Sequence, residues 1–236
     1  MNKVKSNFSI KDLENISGIK AHTIRIWEKR YGLLSPFRTN TNIRRYSLSN
    51  LQKLLNITLL YNHGFKISKI ASLDKEEIPV IVREIALKSN SEEVAINALK
   101  LSMVNFDTIL FDETCEEILL QNDFEFIFTN VFMPLMSELG ILWQTNAISP
   151  SHEHFIINLI KQKVHIQTEF IQKDYVTNQK SKLFVLFLPE DEIHDLGILF
   201  LNYLILKNGY KTIYLGQNVP RESIVSFNKE NSKYCN

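Results

Sequence analysis

The chain has 236 residues, 44% of them hydrophobic and 11% aromatic, with a formal net charge of +1. That length serves one large or two small domains. No apolar run reaches the roughly 18–20 residues of a membrane span, and the opening MNKVKSNFSI lacks the apolar stretch of a secretory leader, so a soluble cytoplasmic protein is expected. Cys115 and Cys235 lie far apart and outside any paired metal spacing, which predicts free thiols. The small net charge hides an asymmetry. Of 27 Lys and Arg and 26 Asp and Glu, residues 1–73 hold 13 and 3, leaving 14 and 23 for the rest. A head of +10 joined to a body of −9 implies that the head meets a polyanion.

In chain order, FSIKDLENISGIKAHTIRIWEKRYG predicts two short helices in helix–turn–helix spacing. Ser9 caps the first, Ile10, Leu13 and Ile16 line its inner face, and Gly18 breaks the chain. In the second, Ile24 and Trp27 share one face while Arg25, Lys29 and Arg30 project from another, and Gly32 ends it. The following LLSPFRTNTNIRRYS has the Pro, Thr and Asn turn formers of a short exposed β-ribbon carrying arginines. Leu48, Leu51, Leu54, Leu55, Ile57 and Leu59 then predict a helix beneath it.

From residue 74 to about 175 the apolar period is three and four, through Val80, Ile81 and Ile85, then Val94, Ala98 and Leu101, then Ile109, Ile118 and Leu119, then Phe128, Phe132, Leu135 and Leu139. This predicts a bundle of about four helices. The last runs from Ser149 or Ser151 through Phe155, Leu159 and Val164 towards Phe170. KDYVTNQKSK is a linker candidate, and the apolar run at 183–188 suits a parallel strand buried on both faces. A helix from about His194 to Lys207 is stopped by Asn208-Gly209 before a second strand at 211–215, one βαβ start, and Pro220 opens a third element.

HTIRIWEKRYGLLSPFRTNTNIRRYS resembles the winged-helix head of the MerR family of transcription regulators, over roughly residues 8–73. The matching positions are Arg25, Trp27, Glu28 and Arg30-Tyr31-Gly32 in the helix, then Pro36 and Arg38, then Arg44, Arg45 and Tyr46 in the wing. The resemblance implies double-stranded promoter DNA as partner, with the helix in the major groove and the wing on adjacent backbone and minor groove. Thr23, Arg25, Lys29, Arg30, Tyr31, Arg38, Arg44, Arg45 and Tyr46 are the DNA-binding set it implies. The residue chemistry agrees: guanidinium groups on a rigid helix address phosphates and guanine edges, and a basic ribbon adds non-specific affinity.

Two further spacings narrow the resemblance. Trp143, nine residues, then Glu153-His154 is similar to the upper-ligand motif of the CarH/LitR-type cobalamin photoreceptor repressors. Glu192-Ile193-His194-Asp195-Leu196-Gly197 resembles the base-off, His-on Glu-x-His-x-x-Gly motif of methionine synthase and corrinoid proteins. Cobalamin, adenosylcobalamin above all, is the cofactor this implies. His194 becomes the lower axial cobalt ligand, with Glu192 or Asp195 orienting the imidazole and Gly197 allowing close approach. Trp143 covers the upper face, Glu153 holds the adenosyl group, and His154 takes the vacated position after photolysis. Taken singly, a lone Trp or His more often belongs to a core or a cap, and His152 and His165 are assigned no function.

The whole is expected to be mainly α: a winged helix–turn–helix head over 1–73, a four-helix bundle over 74–175 and a partial Rossmann-like cobalamin-binding α/β domain over 181–236. The last segment supplies about half of the roughly 100 residues such a domain needs, from truncation, frameshift or an artificial chain end. The implied function is a homo-oligomeric, sequence-specific repressor with a cobalamin-dependent, light-responsive sensor. Catalysis is not expected, since ligand photolysis is cofactor chemistry and no nucleophile–base constellation stands out. A regulator that has lost cobalamin is the alternative, and a corrinoid carrier a further one against which the basic head argues.

Overall fold

The computed structural model describes residues 7–88, 91–144, 148–173 and 182–224. The chain divides into two compact units, Met1–Ile157 and Asn158–Asn236. The linker expected over residues 173–182, the polar chain end and Cys235 fall wholly or mainly outside the described residues.

In the first unit, β1 (Asn7–Phe8) leads into α1 (Ile10–Ser17) and α2 (Ala21–Tyr31). A capping box starts α1: Ser9 Oγ accepts from the Asp12 N–H at 3.1 Å, and Asp12 Oδ2 accepts from the Ser9 N–H at 2.7 Å. Gly18 ends it in the left-handed region at φ +73°, which orients the chain into α2. Leu13, Ile16 and Ile24 are fully buried and Trp27 nearly so, each aliphatic side chain contributing roughly 1.5–3 kcal/mol of burial. Trp27 meets Tyr61 edge-on at 5.2 Å.

β2 (Phe37–Arg38) and β3 (Arg44–Ser47) form the expected ribbon, and β1 adds a third strand to give the antiparallel order β1-β3-β2. Phe8 pairs with Tyr46, Phe37 with Arg45 and Arg38 with Arg44. α3 (Leu48–Asn62) follows, then the short α4 (Ile67–Ala71). α3 buries Leu51, Leu54, Leu55, Ile57, Leu59 and Leu60, too many for one stripe, because it packs on α1, β3 and α4 and also on two later helices, α5 (Glu77–Lys88) and α6 (Glu92–Asn105). The basic head and the helices that follow therefore share one core.

α7 (Thr108–Leu119) and α8 (Phe124–Ile127) are capped by Asp107, which accepts from the Leu110 N–H at 2.9 Å, and Asp123, which accepts from the Phe126 N–H at 2.9 Å. A π turn (Phe128–Phe132) joins α8 to α9 (Met133–Gln144), and α10 (Pro150–Lys173) follows. Phe111, Phe124, Phe128 and Phe132 form an aromatic cluster with ring separations of 6.1–6.4 Å. Val80, Ile109 and Phe170, expected inside the bundle, are 58%, 62% and 56% exposed. A period of three and four identifies a helix, but it also admits residues on the shoulder of the apolar stripe.

In the second unit, β4 (Leu183–Pro189) and β5 (Lys211–Val219) pair in parallel, with Leu183 opposite Lys211, and α11 (Leu196–Lys207) packs on both. β4 was expected to be buried on both faces, yet Leu186 is its buried residue and Phe187 is 37% exposed. Among the described residues the sheet has two strands, so α11 cannot enclose both faces. α11 also begins at Leu196 rather than at His194, which lies in the preceding loop.

Candidate functional site

The inward anchors Ile24 and Trp27 fix the roll of α2, and Arg25, Lys29 and Arg30 are exposed on its outer side. Thr23 and Tyr31 are half-buried, and the Arg30 guanidinium lies over the Tyr31 ring at 5.4 Å. In the wing Arg38 is exposed and its Nη1 donates to Asn42 Oδ1 at 2.7 Å. Asn42 takes φ +61°, the left-handed turn position that Asn tolerates. Arg45 is half-buried.

Glu28 ties the two elements together. It accepts from Arg44 Nε at 3.1 Å and from the Tyr46 hydroxyl at 2.9 Å, stapling β3 to α2. Tyr46 is fully buried, so it is corrected from a DNA contact to a positioning residue: no nucleic acid reaches its ring. Burial, then the hydrogen bond and the charge of Glu28, push its phenol well above the usual range. Sequence reasoning noticed Glu28 only as part of a motif. Its signal was available, as one of 3 acids in a head with 13 basic residues.

The second candidate site is the β4–α11 loop at the carboxyl ends of the parallel strands, where open α/β sheets bind ligands. The Asn218 N–H donates to the Glu192 carbonyl at 3.1 Å, and Asn218 Oδ1 accepts from the Asp191 N–H at 3.0 Å. Asp191 and Asn218 both adopt positive φ, +68° and +54°. The end of β5 thus braces the loop. His194 is highly exposed, with its side chain 87% accessible, and Glu192 Oε1 lies 2.7 Å from both its backbone nitrogen and its Nδ1. Those contacts, backbone first, hold the Glu192 carboxyl below its ordinary range. Of the two acids proposed to orient the ring, Glu192 is the one in contact with it. Asp195 instead forms an ion pair with Lys161 of α10, and burial together with Asp195 raises the Tyr214 phenol. A Cβ placed on exposed Gly197 would meet open space.

In the first unit, Trp143 is in the last turn of α9, with its side chain outside the described residues. Glu153 is half-buried and His154 exposed in the first turn of α10. His152, assigned no function from the sequence, is buried against Phe106, the rings stacked at 4.9 Å, and its Nδ1 lies 3.0 Å from Ser149 Oγ. Burial lowers its pKa.

Residues 8–77 match the family described as MerR HTH family regulatory protein, and residues 95–167 match the B12 binding domain. The chain thus carries a MerR-type HTH region followed by a region that matches a B12 binding domain. The HTH-type transcriptional repressor CarH of Myxococcus xanthus is 23% identical over 215 residues, 89% of this chain and 70% of CarH. CarA of the same organism is 23% identical over 217 residues, 91% of this chain and 70% of CarA. The transcriptional regulator MlrA of Salmonella typhimurium is 26% identical over 135 residues, 56% of this chain and 51% of MlrA. The methanol:cobalamin methyltransferase complex MtaBC of Methanosarcina barkeri superposes with a TM-score of 0.29 at 17% identity, over 73% of this chain and 65% of that one, too loosely to bear on function. The chain is mostly helical with a few small strands, and no helix among its described residues is long and apolar enough to cross a membrane.

Proposed function

We propose that this regulator is a cytoplasmic, non-enzymatic repressor that grips promoter DNA as a homo-oligomer and holds adenosylcobalamin on His194. The observation that carries the reading is the His194 imidazole, exposed on a braced loop with one nitrogen at Glu192 and, among the described residues, no partner on the other. An axial metal ligand needs that arrangement, in which a carboxylate fixes the tautomer and turns the free nitrogen outward. The residues fit the group further, since Gly197 leaves open space where a side chain would stand and Ile193 presents 59% of its surface beside His194. Trp143, Glu153 and His154 are the residues we assign to its adenosyl side. Adenosylcobalamin, when bound, would supply a cobalt able to take the His194 imidazole and a light-sensitive cobalt–carbon bond.

The protein's own part is positional. Arg25, Lys29 and Arg30 on α2 address the major groove, and Arg38, Arg44 and Arg45 address the backbone beside it. Glu28 sets the distance between the two groups by holding Arg44 and Tyr46. One such head covers a short half-site, so specificity on a promoter requires at least two copies.

The test mixes full-length protein with adenosylcobalamin in the dark, desalts it, and records absorbance, molecular mass and promoter affinity before and after green light. Retained cofactor with light-dependent mass and affinity is expected, and His194→Ala should abolish retention while leaving thermal stability unchanged. Equal retention and light response in His194→Ala would overturn the ligand assignment.

A further inference from the structure

Ser49, Gln52, Lys53 and Asn56 fall at i, i+3, i+4 and i+7 of α3, a polar stripe along a helix that otherwise buries Leu and Ile. The stripe meets the start of α5 across a groove with two adjoining parts, of about 230 Å³ and about 340 Å³. Gln52, Asn56 and Pro79 stand in the walls of both parts, which makes them one continuous space. Sites for small molecules span roughly 300–1,000 Å³.

The smaller part is cationic. Lys53 and Lys75 both line it, and Lys53 is half-buried. Burial first, and then the like charge of Lys75, lower the Lys53 ammonium from its ordinary range. Two such charges on one partly buried wall repel, and an anion between them relieves both the repulsion and the desolvation. The nearby Glu77 is engaged elsewhere, its Oε2 accepting from the Asp74 N–H at 3.1 Å.

Asn56 is an independent observation. Its Oδ1 is buried and has no hydrogen-bond partner among the described residues, and the residue lines both parts of the groove. A buried acceptor in that state costs free energy unless an occupant donates to it. The larger part is lined by Val82, Leu101 and Leu110, with Asp107 beside them, so an apolar group fits there and a second negative charge does not.

We infer that this groove binds a small amphipathic monoanion with an internal N–H donor, of the N-acyl amino acid class. Its carboxylate lies between Lys53 and Lys75, its amide N–H donates to Asn56 Oδ1, and its acyl chain rests on Val82, Leu101 and Leu110. A simple fatty acid brings the charge and the chain without the donor. Because α3 closes the basic head while α5 and α6 open the helical segment, an occupant contacts both at once.

The experiment is calorimetric titration of the full chain with N-hexanoylglycine, without DNA, at near-physiological salt. Saturable one-to-one binding is expected, together with a higher melting temperature at saturation. Hexanoate, which lacks the N–H, and N-ethylhexanamide, which lacks the charge, should each bind roughly tenfold more weakly. Lys75 is exposed, so Lys75→Gln should leave the melting temperature of the free protein unchanged while weakening binding roughly fivefold. Asn56→Leu should erase the preference for N-hexanoylglycine over hexanoate, a change that a purely structural role for Asn56 would not produce. Absence of saturable heat, equal binding of hexanoate by the unaltered protein, undiminished binding in Lys75→Gln, or a preference that survives in Asn56→Leu would overturn the inference.

Discussion

Replacing Glu28 separates the two surfaces that the head presents to DNA. The carboxylate is only 15% exposed and accepts from Tyr46, which is fully buried, and from Arg44, which is 37% exposed. Glu28→Ala leaves the phenol buried without a partner and removes a hydrogen bond to a charged acceptor, a cost of about 2–3 kcal/mol, while the half-exposed Arg44 pair adds no more than about 1 kcal/mol. A loss of about 2–4 kcal/mol is therefore expected in urea unfolding of the full chain. Glu28→Gln keeps an acceptor and should cost about 1 kcal/mol, and Tyr46→Phe about 0.5–1.5 kcal/mol. A double-mutant cycle between positions 28 and 46 should return a coupling of about 1–2 kcal/mol. Hydrogen exchange reads the same contact locally, since β3 should lose protection in Glu28→Ala while α6 keeps it. A coupling near zero, or unchanged protection in β3, would refute the staple.

Arg25→Ala and Lys29→Ala should each weaken promoter binding and reduce the slope of log affinity against log salt by roughly one, read by fluorescence anisotropy across a salt series. The folded Tyr46 phenol is raised, so above pH of about 10 the unfolded chain releases a proton that the folded chain keeps; Tyr46 thus makes stability fall with rising pH there and leaves it flat below. Tyr46→Phe should flatten that alkaline limb in melting curves, and an unchanged limb would contradict the burial argument. Lys161→Met strips Asp195 of its ion pair at a partly buried position and should cost about 1–2 kcal/mol, with loss of exchange protection at the start of α11.

Helix boundaries were legible because their signals are local. Ser9 with Asp12, Gly18, Gly32 and Asn208-Gly209 act through hydrogen bonds or backbone angles a few residues away, which a linear reading can find. The same holds for the order of MerR-type residues in α2 and the wing, and for the spacing around His194. Solvent exposure was less legible. Val80 and Ile109 satisfy the helical period yet face water, because the period does not say how far around the helix its neighbours reach.

By itself, then, the sequence determined a basic helix–turn–helix head, a helical middle, a parallel strand pair and the motif residues that bind them to a family. Tertiary structure decided which acid serves which partner. Glu28 reaches 16 and 18 residues along the chain to Arg44 and Tyr46, and Asp195 is claimed by Lys161 of α10, leaving His194 to Glu192. It also decided that Asn97 and Lys100 would line a polar cavity rather than face solvent on α6. Charge and hydrogen-bond pairing depend on distances between elements, and those distances exist only once the helices have packed.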